Sequence, residues 1–376
     1  MPRREILTFS KGLVAKQARV DVPEGTWEEE FGREGLVGHE TMLYRTHPPT
    51  EWLRIEGPLR PRAADCYQVR ADDEADPRQD ASRLLFNQDV AVSISRRQKP
   101  MPYYARNADA DEVYFVHRGE GVFETEFGPL NYKLGDYIVL PRGTTYRVCP
   151  SSRDQFLMLI ETRAEVGFPD PTMVLGNHMP IDRGLIEVPE PQAFDPGVKG
   201  EYEVRIKSEG EYTSVFYPFC PLDVVGWQGT LTAFKFNVED LRQVHSHRIH
   251  VPVPAYCTLV AEGVAICTFT PIPFQLEDPK AQRVPGYHRN VDYDELVFTH
   301  AGILMSRSRE SGIGTGKLTW SPQGIDHGPH RKAFEQSMQM ERMEATIVMV
   351  ETSRRLRADR SFEEAELKDY AYSFTK

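Results

Sequence analysis

Cysteine is sparse in this chain and never clustered. Cys66, Cys149, Cys220, Cys257 and Cys267 are the only five, and they stand far apart. An odd, scattered set argues against a disulfide framework or a cysteine-held metal, and it suits free thiols in a reducing cytoplasm. Positive charge is also in deficit. A formal net charge of −11 argues against a nucleic-acid backbone as partner, which needs a basic footprint. Long apolar runs are missing too. Met-Pro-Arg-Arg-Glu-Ile at the start leads into no hydrophobic stretch, so neither a signal peptide nor a membrane-spanning helix is expected. There is no low-complexity segment.

What the chain does have is a duplication. Tyr104-Ala-Arg-Asn-Ala-Asp-Ala-Asp-Glu112 lies over Tyr287-His-Arg-Asn-Val-Asp-Tyr-Asp-Glu295, with Tyr, Arg, Asn, both Asp and Glu in common. The match runs on from Val-Tyr-Phe-Val-His-Arg-Gly119 into Leu-Val-Phe-Thr-His-Ala-Gly302. Gly135 is followed by Pro141-Arg-Gly-Thr-Thr-Tyr146, and Gly316 by Pro322-Gln-Gly-Ile-Asp-His327. Ile160-Glu161-Thr162 echoes Val350-Glu351-Thr352. Self-similarity in this order means two copies of one structural unit.

The copies differ where chemistry would sit. Ala105 stands against His288, and Tyr146 against His327, while Glu112 and Glu295 are both kept. One copy therefore offers His288, Glu295 and His327, the two histidines and one carboxylate of a non-haem Fe(II) site with open positions. The other copy reads as structural. Arg289 and Asn290, and likewise His117 and His300, occur in both copies and so read as parts of the scaffold.

Short runs such as Val113–Val116, Tyr137–Leu140, Val264–Phe269 and Thr346–Val350, separated by glycine turns, predict a mainly β protein of sandwich or barrel type. A weak pattern predicts a short helical piece within Glu24–Arg33. Leu231–Val238 reads as a strand, Glu239–Val244 as a helical turn, and residues 168–196, rich in proline and glycine, as a linker. Ser361 with the acids after it predicts a capped C-terminal helix to Lys368.

These residues resemble a known family. Gly316 to His327 fits the second cupin motif at every position. His288-Arg-Asn290, Glu295 and Gly302 fit the first, with Asn290 in place of its second histidine. Within cupins the chain is similar to homogentisate 1,2-dioxygenases through Tyr287-His-Arg-Asn290, His327-Gly-Pro329, Trp227-Gln-Gly-Thr-Leu-Thr-Ala-Phe-Lys-Phe-Asn237, Leu43-Tyr-Arg45 and Glu124-Thr-Glu-Phe-Gly128. It departs where that family carries a pocket tyrosine, since Leu304 stands there. The family's Ser-Leu-His before the last ligand is here Lys317-Leu-Thr319.

The resemblance implies a bicupin of two jelly-roll barrels with a few short helices. Residues 1–165 would form the half without metal ligands, and residues 166–376 the half with the site. It implies Fe(II) on His288, Glu295 and His327, a small aromatic acid and O2 as partners, and a homo-oligomer, a trimer or hexamer. The reaction it implies is ring opening of a dihydroxylated aromatic acid, homogentisate to maleylacetoacetate as first candidate. A gentisate- or hydroxyanthranilate-type dioxygenase, or a metal-binding cupin without oxygenase activity, is the alternative. In His245-Ser-His-Arg-Ile-His250, the last histidine matches best the one proposed to act on the substrate hydroxyl. His330 is a second candidate for catalysis or substrate contact, with a loop histidine as the plain alternative, and Tyr287 could line the pocket.

Overall fold

The computed structural model describes residues 9–35, 38–170, 178, 181–193, 197–308 and 311–375. The chain is built mainly of strands, as its short apolar runs imply. A seven-stranded sheet runs Phe234–Asn237, Asp136–Leu140, Asp111–Arg118, Phe156–Thr162, Val90–Ser95, Ser82–Phe86, Arg357–Ala358. A six-stranded sheet runs Glu211–Tyr217, Tyr202–Ser208, Tyr104–Asn107, Thr145–Pro150, Gly121–Thr125, Gly128–Tyr132. One apolar cluster, with Tyr114, Val116, Phe123, Ile138, Tyr146 and Leu157, fills the space between them and makes the first barrel.

The second barrel rests on another six-stranded sheet: Cys257–Ala261, Val264–Phe269, Thr346–Thr352, Asp294–Ala301, Lys317–Ser321, Arg62–Asp65. Its other side includes a three-stranded sheet in the order Tyr287–Asn290, Trp27–Gly32, Glu40–Arg45. Strand alternation decides which residues go where. Along Asp111–Arg118, Val113 and Phe115 face the second barrel while Tyr114 and Val116 face inward. Along Asp294–Ala301, Leu296 and Phe298 face the first barrel while Val297 faces inward. The two large sheets thus pack back to back through a shared core, and Glu112 and Glu295 share the inward parity of their strands. Each buried aromatic of that seam, Phe298 for example, contributes roughly 2 to 3 kcal/mol by leaving water.

The pairings cross the boundary expected after residue 165. Phe234–Asn237 pairs with Asp136–Leu140, and Tyr202–Ser208 runs parallel to Tyr104–Asn107. In the other direction, Arg62–Asp65 pairs with Lys317–Ser321.

Local structure departs from the sequence reading in three places. Trp27–Gly32, expected to hold a helical piece, is a strand. It is parallel to Tyr287–Asn290 and antiparallel to Glu40–Arg45, so the demand of two strands for backbone partners overrides the helix propensity of a glutamate run. The C-terminal helix spans only Arg360–Glu364 and is capped by Asp359, two residues before the expected Ser361 cap. It stops early because Ala365 and Leu367 pair by backbone with Asp65 and Ala63. The strand expected from Leu231 starts at Phe234, and Val238–Asp240 forms a 3-10 turn capped by the Asn237 side chain. Of the expected linker, residues 171–177, 179–180 and 194–196 lie outside the described residues, and Arg183–Leu185 is a 3-10 turn.

Candidate metal centre

His288 sits in the edge strand Tyr287–Asn290, and Glu295 near the start of Asp294–Ala301. His327 follows the turn after Lys317–Ser321 and is tied to His288 by two reciprocal backbone hydrogen bonds of 2.9 Å. Gly328 beside it has φ +140°, and a Cβ there would meet Tyr287 Cα at 2.8 Å, so only glycine lets the loop close against the strand.

One ligand atom from each of His288, Glu295 and His327 lies within 4.8 Å of the other two. Both Nε2 atoms stand 3.7 Å from Glu295 Oε2, beyond hydrogen-bond range. His288 Nδ1 faces the Gly286 carbonyl at 3.0 Å, and His327 Nδ1 the Ile325 carbonyl at 3.0 Å. Each Nδ1 therefore carries the proton, and each Nε2 presents a lone pair to the same point. His327 Nε2 is buried and has no hydrogen-bond partner among the described residues. A buried lone pair without a donor is costly unless a cation meets it, so the residues fit a resident metal ion. Burial pushes the Glu295 carboxyl up, and positive charge at the imidazole edges, from a proton on Nε2 or from a cation in its place, outweighs burial and holds it well below the usual range.

Arg19, Glu30, His250, Phe269, Val297, Leu304, Arg307, Ile347 and Met349 line the pocket over these ligands. His250 is thus brought to the site, buried, with its carbonyl facing Arg19. Burial, helped by Arg19 and His288, pushes its imidazole down to about 3. That leaves it neutral at pH 7 and weaker as a base than the near-neutral value a proton acceptor would use, so it is suited to accepting a hydrogen bond.

Tyr287 and His330 are not part of the lining. Tyr287 packs its ring against Trp27 and Phe334. His330 precedes the helix Arg331–Ser337, with Nδ1 at 3.3 Å from Ser308 Oγ and Nε2 at 3.2 Å from Ser373 Oγ. His245 and His247 meet edge to face, also outside the lining. Sequence reasoning missed Arg19, Glu30 and Arg307. The first two come from the N-terminal segment, Glu30 by strand pairing with His288 and Arg19 through backbone contacts of its turn with Ala281 and Gln282, and no local pattern marks Arg307.

The other barrel repeats the geometry without the two histidines. Ala105 and Tyr146 are paired across their strands as His288 and His327 are bridged, and Glu112 pairs with Glu161 as Glu295 does with Glu351. Tyr146 Oη donates to Glu112 at 2.9 Å and lies 2.8 Å from Tyr114 Oη. Burial and the nearby Glu161 push the Glu112 carboxyl up to about 7. A cavity of about 550 Å³ opens here, larger than the pocket over the histidines, yet a tyrosine stands where a ligand would be needed.

The chain is similar to known proteins. Residues 80–238 match the family model described as Homogentisate 1,2-dioxygenase N-terminal. A protein of Saccharolobus solfataricus named as a candidate dioxygenase is 30% identical over 351 residues, covering 88% of this chain and 88% of that one. Human homogentisate 1,2-dioxygenase is 25% identical over 240 residues, 61% of this chain and 52% of its own length, so the match spans about half of that relative. Among solved structures, a cupin 2 conserved barrel domain protein from Leptotrichia buccalis aligns with a TM-score of 0.35 and 10% identity over 76% of this chain and 98% of that one.

Proposed function

The chain belongs to the cupin superfamily as a distant member of the homogentisate 1,2-dioxygenase family, and from that premise we propose that it is an Fe(II)-dependent dioxygenase opening the ring of a dihydroxylated aromatic acid. One observation carries the reading. Two imidazoles with Nε2 lone pairs and one carboxylate converge at the base of a pocket with apolar walls, and one of those lone pairs is buried without a donor.

His288, Glu295 and His327 would hold the ion. Bound there, Fe(II) supplies open positions for a ring oxygen and for O2 and a route for electrons between them. The protein's own part is binding and exclusion of water. Phe269, Val297, Leu304, Ile347 and Met349 give the ring an apolar slot. His250, neutral and buried at the same pocket, accepts the hydrogen bond of a ring hydroxyl and turns the ring toward the ligands. Both atoms of O2 end in the ring-opened product, so no external reductant is needed.

Leu304 in the lining favours a second reading within the same chemistry. A slot without the pocket tyrosine suits a differently substituted ring, such as a gentisate- or hydroxyanthranilate-type acid. The test is O2 uptake by the Fe(II)-loaded protein across a panel of dihydroxylated and aminohydroxylated aromatic acids, homogentisate first. Uptake with none of them, at full iron occupancy, defeats the proposal.

A further inference from the structure

Arg307 is a buried cation with no anion among the described residues. It is 5% exposed and lines the pocket over His288, Glu295 and His327. Its Nε donates to the Tyr370 hydroxyl at 2.8 Å. Its Nη1 donates to the Gly328 carbonyl at 2.7 Å and to the Ser306 carbonyl and hydroxyl at 3.1 and 2.9 Å. The Phe374 ring lies 5.0 Å from the guanidinium carbon. Every one of these partners is neutral. Among the described residues, no Asp or Glu forms an ion pair with Arg307.

Arginine does not escape burial by giving up its proton. A buried guanidinium with neutral partners therefore keeps an unmet electrostatic demand, and a carboxylate meets it at Nη2, since Nε and Nη1 are already engaged. The other arginine of the lining, Arg19, is already paired with Glu30 and has no such demand. Arg307 is also fixed relative to the ion site, since it holds the carbonyl of Gly328, the residue after His327. The C-terminal turn Tyr370–Thr375 supplies Tyr370 and Phe374 and so sets its position.

We infer that Arg307 is the anchor for the substrate's carboxylate and sets the enzyme's preference for acids over neutral hydroquinones. This rests on the proposed function and specifies it. The acid group binds at Arg307 while a hydroxyl of the same ring reaches the point where His288, Glu295 and His327 converge. The slot between them holds the ring, which assigns the substrate to aromatic acids whose carboxylate is set apart from the reacting hydroxyl.

The test compares homogentisate with methylhydroquinone, the same ring with a methyl group in place of the acidic arm. Binding is measured by calorimetry without O2, in wild-type, Arg307→Lys and Arg307→Gln proteins loaded with Zn. Metal content and melting temperature are recorded for each. The wild type is expected to bind the acid at least about tenfold tighter than the neutral ring, with part of the preference kept by lysine and none by glutamine. Equal affinity of the wild type for both compounds overturns the inference, as does a folded, metal-replete Arg307→Gln protein that keeps the preference. If Arg307→Gln does not fold, Arg307→Lys takes its place, and a lysine protein that keeps the full wild-type preference overturns the inference. Preference for the acid without O2 uptake by the Fe(II) protein would retire the dioxygenase reading and leave the anchor in place. O2 uptake with equal affinity for the two rings would do the reverse.

Discussion

His117 Nδ1 and His300 Nδ1 lie 2.9 Å apart across the seam between the two barrels. They occupy equivalent places in the two copies, so the duplication meets itself at this contact. Tyr67 Oη accepts from Arg118 at 2.8 Å and lies 2.9 Å from His117 Nε2. With Tyr67 donating to Nε2, His117 carries its proton on Nδ1 and donates it to His300. The chain of donors has room for neutral rings only.

Burial, followed by the charges of His300 and Arg118, pushes His117 down to about 3, and burial pushes His300 down to about 4. Both fall below the ordinary 6.5, so the unfolded chain takes up protons first. Stability contributed by the pair is full above about pH 6.5 and is lost as pH falls through 4 toward 3. The loss should reach several kcal/mol. Denaturant midpoints measured from pH 7 to pH 4 should fall steeply for the wild type and less so for His117→Leu with His300→Leu. Equal slopes for the two proteins would assign the acid sensitivity to other groups.

Removing a metal ligand should leave the fold alone. His327→Ala deletes an imidazole whose Nε2 has no partner in the protein, so the metal-free chain loses no hydrogen bond at that atom. Its melting temperature should stay within a few degrees of the wild type, while Fe(II) affinity drops at least about 100-fold. Glu295→Ala and His288→Ala should behave alike. Mass-spectrometric metal analysis reads the outcome, and stoichiometric iron in all three variants would remove these residues from the site.

The duplication was legible in the sequence because the scaffold must repeat even where the chemistry does not. Gly135 donates to the Val116 carbonyl at 2.9 Å, and Gly316 to the Thr299 carbonyl at 2.8 Å; Gly143 and Gly324 likewise reach Asn107 and Asn290 at 2.8 and 2.9 Å. Each position has a positive φ, so the glycines at these turns persist in both copies. The mainly β fold was legible for the same reason. Trp27–Gly32 was not, since Glu28, Glu29 and Glu30 become buried strand residues only when partners arrive from afar. Arg19 and Arg45 neutralise Glu30 and Glu29, and Tyr44 donates to Glu28 at 2.9 Å. Arg307 was equally hidden, because its meaning lies in which charges are absent around it.

Glu112→Gln should spare iron and activity and should change how stability depends on pH. Burial and Glu161 raise the Glu112 carboxyl from the ordinary 4.5 to about 7, so the folded chain holds the proton more tightly than the unfolded one. Its contribution is present below pH 4.5 and is lost as pH rises toward 7. Glutamine carries no such penalty. Relative to wild type, the variant should therefore gain stability between pH 5 and pH 8, by up to a few kcal/mol. Thermal melts across that range decide it, and loss of iron on this substitution would end the division into a metal-bearing and a structural copy.

Restoring the two missing histidines should not by itself restore a metal site. Ala105→His with Tyr146→His would place imidazoles at paired positions, as in the other barrel. Tyr103 and Thr144 stand where Gly286 and Ile325 supply carbonyls, so backbone acceptors for Nδ1 exist by register. The obstacle is charge. Lys207 lies 2.5 Å from Glu161, whose strand position is directly across from Glu112. Its ammonium also acts on the Glu112 carboxyl, so it would oppose a cation held there. In the barrel with His288 and His327, Glu351, the counterpart of Glu161, has no lysine or arginine paired with it among the described residues. The double variant should thus bind Zn or Fe(II) weakly, and adding Lys207→Met should tighten binding by about tenfold or more. Competition with a chelator measures both affinities. A double variant that already binds as tightly as the His288 site would show that the ligands alone were missing; no gain on removing Lys207 would place the obstacle in the orientation of the new imidazoles instead.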